Sequence, residues 1–408
     1  MWRIKQCMQV FPIFIFTGIK KRHTHLWRRQ KSMENEEKTL QYLRQCGERI
    51  QEPDRRAGKA GERHWNSIAK PLHGLGLLED ALVQIAAIQG TEDITLDKKA
   101  VVVMCADNGI IEEGVSQSGH EVTTVVTGNI AKGLASVNRM ASCAGADVFP
   151  VDVGMKDDLK LKGLLVEKTR NGTRNFLKEP AMEDEDMLAA IRAGVEMTEM
   201  LSDGGYHILA LGEMGIGNTT TSSAVASVLL GLPAEEVTGP GAGLDKEGVR
   251  RKIAVINQAA AAWKLGIHGP LSGDGEKDTQ LMMQETLRTL RTVGGLDLCA
   301  LTGACIGGAI YRVPIVLDGL ITAVAALTAC RLLPGVRDFL LPSHLGKEPA
   351  MAAIYEELKF CPVIHARLAL GEGTGAVALF PLLDMACQVY RENATFGDLE
   401  MDAYEDYR

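Results

Sequence analysis

Hydrophobic positions change their period several times along the chain. From Met33 to about Gly90 they recur at helix spacing, with Leu40, Leu43 and Cys46 on one face. A second apolar series runs through LGLLEDALVQIAAIQG, after the Pro- and Gly-bearing turn in KPLHGLGLLED. KKAVVVMCADNG breaks that rhythm: a short β-branched run ending in polar turn residues predicts a strand buried on both faces. The alternation then repeats. GNIAKGLASVNRMASCAG predicts a helix, ADVFPVDVGM a strand, EDMLAAIRAGVEMTEMLSDG a helix, and YHILALGEMG a strand that runs into the helix NTTTSSAVASVLLG. Beyond the loop GPGAGLDKEG come the helix VRRKIAVINQAAAAWKLG, the segment LCALTGACIGGAIYR, the strand VPIVLDG, the helix LITAVAALTACRLL and the strand DFLLPS. Strands separated by helices predict an α/β fold, a parallel sheet covered on both faces.

The last helices, EPAMAAIYEELK and the one after LGEGTGA, are expected to join the lead-in helices in a smaller helical domain. That division gives an extension over 1–32, a helical segment over 33–98 and a large α/β domain over 99–358. A loop and C-terminal helix over 359–393 and an acidic tail over 394–408 complete it. Helices such as LITAVAALTACRLL are apolar all round, yet at about 14 residues they are too short for membrane spans; tight packing on a sheet explains them better.

Composition adds ordinary globular values, 46% hydrophobic and 24% charged residues. The net charge of -8 conceals an asymmetry, because residues 1–32 hold eight Lys or Arg and no acid, leaving the rest at 36 basic against 52 acidic. An acidic body without a basic stripe excludes nucleic acid as a partner. Within the extension, the apolar run Val10 to Ile19 is too short to span a bilayer and has no small-residue cleavage site behind it. The segment is expected to lie outside the fold, with a membrane-surface anchor as the alternative. The nine cysteines show no C-x-x-C pair and the nine histidines no H-E-x-x-H, which predicts a reducing cytoplasm and no protein-built metal site.

Ligands of an open α/β sheet sit at the carboxyl ends of its strands, so CADNG, LGEMGIGNTTT and VLDG are the segments to weigh. LGEMGIGNTTT delivers Glu213 at a strand end, then Gly215 and Gly217, then Asn218 and three threonines at a helix start. Free N–H groups and hydroxyls there suit a phosphate or carboxylate, although an N-cap with a tight turn would look the same. GPGAGLDKEGVRRK sets Lys246, Arg250, Arg251 and Lys252 beside a glycine turn; such cations hold phosphate or are simply solvated. In LALGEGTGA, Glu372 lies between Gly371 and Gly373, aimed at a ligand or sitting in a surface turn. None of these is G-x-G-x-x-G or a Walker loop, which disfavours a dinucleotide dehydrogenase or an ATPase.

Together and in order, KPLHGLGLLED, CADNGIIEEGVS, EVT, LGEMGIGNTTT, GLDKEGVRRK, GGLDL, LTG, VLDG, LPSH and LGEGTGA resemble the nicotinate-nucleotide:dimethylbenzimidazole phosphoribosyltransferases of cobamide biosynthesis. The resemblance covers about Lys70 to Tyr390. It implies a Rossmann-like large domain with a small helical domain, a homodimer, and no cofactor. The implied reaction takes nicotinate mononucleotide and a benzimidazole-type base to an α-ribazole phosphate and nicotinate. It implies Glu372 as the general base and Glu213 as a second active-site carboxylate. Nucleotide and phosphate would be held by Gly215, Gly217, Asn218, Thr219, Lys252 and Ser343, and the base by Ser118, Met214 and Leu370.

These roles fit the chemistry. The azole loses a proton as the glycosidic bond forms, and a pyridinium leaves as a neutral ring without needing a strong acid. Positive charge developing on the ribose favours nearby carboxylates. The chain departs from the family at Asn108, where ADHG is common, and over the stretch Ser116 to Val126, SQSGHEVTTVV, in which Val126 falls where some members carry a hydrogen-bonding Gln. The reaction class is untouched by them and the choice of base stays open. Rival readings are a related glycosyltransferase using a purine or phenolic base, and a non-catalytic nucleotide-binding regulator.

Overall fold

Six parallel strands form one sheet in the order β3-β2-β1-β4-β5-β6. They are β1 (Lys99–Ala106), β2 (Ala146–Gly154), β3 (Leu165–Val166), β4 (Ile208–Met214), β5 (Ile315–Leu317) and β6 (Leu340–Pro342). The computed structural model describes residues 34–266 and 275–405, so the extension over 1–32 lies outside the described residues. Helices α1 (34–49), α2 (Arg55–Ser67) and α3 (Leu77–Gln89) precede the sheet, and α4 (Glu121–Ala131) and α5 (Ser136–Cys143) join β1 to β2. Helix α6 (Asp184–Asp203) leads into β4, which is followed by α7 (Asn218–Leu230), α8 (Ala234–Val237), α9 (Lys246–Trp263), α10 (Gly275–Val293) and α11 (Leu296–Tyr311). Helix α12 (Leu320–Leu332) joins β5 to β6, and α13 (Ala350–Leu358) and α14 (Thr374–Glu392) close the fold.

Strand β1 explains why the sheet is covered on both sides, since all eight of its residues are buried. Ala100, Val102, Met104 and Ala106 face a core shared with α6, α11 and α12, while Val101, Val103 and Cys105 face a second core. That second core is built from α2, α3, α5 and α14, through Trp65, Leu82, Ile85, Val137, Phe380 and Leu383. Chain-terminal helices thus seal one face of the sheet. Helix α1 is the exception, placing Leu40, Leu43 and Cys46 in the first core. Among the described residues no helix is long and apolar enough to cross a membrane.

Two details depart from the periodicity. GNIAKGLASVNRMASCAG is not one helix: α4 ends at Ala131 and α5 starts at Ser136, because the chain turns at Gly133 with φ +74°. Helix α10 and the two-residue strand β3 had no clear apolar signature; the buried face of α10 mixes Thr286, Thr289 and Thr292 with Leu287, Leu290 and Val293.

Helices α6 and α11 approach through glycine. A β-carbon at Gly194 would lie 1.9 Å from the Ala300 carbonyl oxygen, and one at Gly303 1.9 Å from that of Ile191. Both neighbours are backbone, so neither yields without moving a helix. Gly194→Ala is therefore expected to lower the unfolding free energy by about 2–3 kcal/mol in a urea titration. An unchanged midpoint would show that the helices part easily.

Candidate active site

The strand order reverses direction between β1 and β4, and such a switch point opens a crevice at the carboxyl ends of the strands. A cavity of about 300 Å³ lies there. Its walls include Glu213 and Met214 from the end of β4, Gly215, Ile216, Asn218 and Thr219 from the turn into α7, and Val126 from α4. Asp318 to Thr322, His344, Lys347, Glu348 and the run Leu368 to Glu372 also line it.

Glycines let these segments converge. A β-carbon at Gly215 would meet the Ala106 carbonyl at 2.5 Å and Asp297 Oδ2 at 2.7 Å. One at Gly212 would meet the Glu372 carbonyl at 2.4 Å, so β4 and the Glu372 loop touch backbone to backbone. Gly371, Glu372 and Gly373 are all left-handed, at φ +86°, +61° and +90°. A non-glycine residue in that conformation is strained, and here it directs the Glu372 carboxylate towards the first turn of α5, where Oε2 accepts the Val137 N–H at 3.4 Å. Burial raises the Glu372 carboxyl above its ordinary value, against the Val137 N–H, with Asp318 adding repulsion.

Asp318 holds this loop from behind. Its Oδ2 accepts the Gly373 N–H at 3.1 Å, and its Oδ1 accepts those of Gly375 at 2.7 Å and Ala376 at 3.1 Å, at the start of α14. Burial raises the Asp318 carboxyl, opposed by His344 and by the three amides, while burial lowers the His344 imidazole. His344 packs so tightly that a β-carbon at Gly375 would lie 2.1 Å from its ring.

Glu213 has a different setting. Asn218 Nδ2 donates to Glu213 Oε2 and, at 3.1 Å, to Asp297 Oδ2, so one amide bridges two carboxyls. Burial is the main cause that pushes Glu213 up to about 8; Asn218 opposes it, and Asp297, Asp318 and Glu372 add repulsion. Asp297, fully buried at the start of α11, is pushed up to about 6 by the same loss of water.

On the opposite side Lys252 is fully buried, its Nζ donating to Thr219 Oγ1 at 2.9 Å and to the Gly239 carbonyl at 3.1 Å. Burial lowers its ammonium to about 8, with Glu348 pulling the other way. The start of α7, the Thr219 hydroxyl and this cation together make an anion-ready corner.

Of the residues singled out in the sequence, Glu372, Glu213, Gly215, Asn218, Thr219, Met214 and Leu370 share the cavity wall. Gly217 lies one step behind as the left-handed N-cap of α7, and Lys252 stands behind Thr219. Ser343 is set back from the wall and fully buried; its hydroxyl donates to the Leu317 carbonyl at 2.5 Å and lies 2.9 Å from His344 Nδ1. Ser118 is exposed, its own N–H donating to Ser116 Oγ. Sequence reasoning did not find Asp297, His344, Glu348 or the Val137 amide. The only hints were the motifs GGLDL and LPSH, which contain two of them. Among the described residues no group of three or more His, Cys, Asp or Glu side chains is arranged to hold a metal.

A doubly wound sheet, an acid-lined slot and an anion-ready helix start define a nucleotide-handling α/β transferase. A family model described as "Phosphoribosyltransferase" matches residues 50–400. The nicotinate-nucleotide–dimethylbenzimidazole phosphoribosyltransferase of Acetivibrio thermocellus is 40% identical over 366 residues, 90% of this chain and 99% of the relative. The protein of the same name from Clostridium acetobutylicum is 40% identical over 344 residues, covering 84% and 93%. The crystal structure of CobT from Thermus thermophilus superposes with a TM-score of 0.77 at 37% identity, covering 85% of this chain and 99% of that one. The chain belongs to the nicotinate-nucleotide–dimethylbenzimidazole phosphoribosyltransferase family.

Proposed function

We propose that this protein transfers the phosphoribosyl group of nicotinate mononucleotide to 5,6-dimethylbenzimidazole or a related lower-ligand base, giving α-ribazole 5′-phosphate and nicotinate. The observation that carries the reading is the placement of Glu213 and Glu372 on one cavity wall beside the start of α7. The nucleotide phosphate takes the corner of Gly215, Gly217, Asn218 and Thr219, with Lys252 supplying fixed positive charge behind Thr219. The base lies flat among Met214, Leu370 and Val126, an apolar slot edged by carboxyls.

One azole nitrogen attacks C1′ as its ring gives the N–H proton to Glu372. The C1′–N bond to nicotinate breaks, and its electron pair neutralises the departing pyridinium. Attack opposite the leaving group converts a β-nucleotide into an α-product. Glu213 faces the ribose, where negative charge stabilises the developing cation. Ser118 and Ser343 take part in this scheme only at one remove, Ser343 by holding His344.

The protein works as a homodimer in the cytoplasm under this reading. Val125 on α4, Leu370 at the site and Leu134 just ahead of α5 are exposed and offer apolar surface for a partner copy. The described cysteines are all unbridged, which suits a reducing compartment.

The decisive assay incubates the protein with nicotinate mononucleotide and a panel of benzimidazoles, purines and phenols, then identifies products by mass and anomeric configuration. Nicotinate release matched one for one by an α-ribotide is expected. Release of no nicotinate with any base would sink the reading.

A further inference from the structure

Four carboxyls converge on the ends of β1, β4 and β5, and the chain provides few partners for them. Glu213, Asp318 and Glu372 line the cavity, and Asp297 sits immediately behind it. Asp318 has its three backbone amides and His344, and Glu372 has the Val137 N–H. Glu213 and Asp297 have mainly each other, through the single amide of Asn218.

Neutral and acidic groups pack around this pair, while His344 and Lys347 line the same cavity as Glu213. Asn108, at the end of β1, is fully buried, and a β-carbon at Gly295 would come within 2.5 Å of its Oδ1 and 2.3 Å of Asp297 Oδ1. Neither polar atom of the Asn108 side chain has a well-formed hydrogen bond. From β1, Cys105 faces Glu213; from the loops after β5 and before α14, Asp318 and Glu372 face it. Cys299 on α11 faces Asp297, which accepts the Leu298 N–H at 2.9 Å and lies beside the Asn108 amide. Among the described residues neither carboxyl forms an ion pair with Lys or Arg. Two acids joined by one amide, one of them fully buried and neither ion-paired, do not both ionise readily.

We propose that Glu213 and Asp297 form a dyad that holds one proton before substrate binds and releases it when a nucleotide with a cationic base enters. Asp297 is then a positioning residue for the transfer: it never touches substrate, but its negative charge keeps the proton on Glu213 until the pyridinium arrives. Binding breaks the Glu213 O–H bond, the proton passes to solvent, and the carboxylate formed faces the ribose as its positive charge grows. The raised values of about 8 for Glu213 and about 6 for Asp297 agree with this order, Glu213 holding the proton and Asp297 the charge. The proposal rests on the reading of Glu213 as a nucleotide-site residue, and it adds how the charge there is switched.

The test is isothermal titration calorimetry of the full chain with nicotinate mononucleotide at pH 7.5, in HEPES and in Tris, buffers that differ in ionisation enthalpy. Ribose 5-phosphate, which has the phosphate but no pyridinium, serves as the control for phosphate ionisation. Release of roughly one proton beyond the control is expected, because a carboxyl titrating near 8 is mostly protonated at that pH. Asp297→Asn removes the neighbouring charge, lowers the proton affinity that burial and the other carboxyls leave on Glu213, and should measurably reduce the release. The acid limb of its kcat/KM profile should move to lower pH, a change that a merely structural role would not produce.

Normal transfer with no proton released beyond the control would overturn the dyad alone, and the parent protein decides this without any variant. Equal release by the parent and by a folded Asp297→Asn variant would also overturn it. No heat of binding and no transfer would overturn the underlying reading, and the dyad with it.

Discussion

Glu372→Gln is expected to lower turnover by about 10³-fold while nicotinate mononucleotide still binds nearly as well as to the parent. Glutamine keeps the shape and can still accept the Val137 N–H, so the left-handed loop has no new reason to move. What disappears, on the proposed mechanism, is the group that takes the azole proton. The sign of the pH dependence follows from burial, which raises the Glu372 carboxyl above its ordinary value. The base must be ionised to act, so the parent's activity is lost as pH falls through that raised value. The variant's residual rate should lack this limb. Steady-state rates across pH, with calorimetry for nucleotide binding, check both parts, and near-normal turnover would remove Glu372 from the mechanism.

Asp318→Asn should be nearly as damaging for a different reason. The Asp318 carboxylate accepts three backbone N–H groups, from Gly373, Gly375 and Ala376, in a site 2% exposed. An amide has one acceptor oxygen, so its NH₂ group would face at least one of those donors. Leaving such buried groups unpaired costs about 2–4 kcal/mol of stability. Misplacing the loop that presents Glu372 should also slow transfer by about 10²-fold. Denaturant titration and kcat measured on the folded fraction separate the two effects. A variant with parental stability and parental kcat would show that the loop holds itself.

Much of the fold was legible because β1, β2 and β4 are apolar runs ending in polar turns, which is what burial on both faces of a sheet requires. The break between α4 and α5 was hidden, since residues on either side of Gly133 keep helix-like spacing. Site residues divide in the same way. Glu213 and the start of α7 announce themselves locally, as a strand end running into a capped helix. Glu372 does not: within LGEGTGA it reads as a surface turn, and what makes it otherwise is contact with Gly212, far away in the chain.

Lys252 misleads in the opposite direction. KEGVRRK looks like a solvated helix face, yet this one lysine turns inward to Thr219 and Gly239. Asp297 lies at the head of a nearly apolar helix, where nothing in the local pattern marks a carboxyl as part of a site. Ser118, which the resemblance implies for the base, is exposed and lies outside the cavity wall.

The residues around the cavity differ in what they can tolerate. At Gly212, Gly215 and Gly375 there is no room for even a methyl group, because backbone or a packed ring already occupies the space. Val126, Met214 and Leu370 contribute larger apolar side chains to the same cavity wall. On the proposed mechanism, chemistry and selectivity are separable: the glycines confine the reacting atoms to one arrangement, while the three apolar side chains can be recut for wider or narrower rings. A directed-evolution library aimed at new bases should sample those three positions and leave the glycines alone.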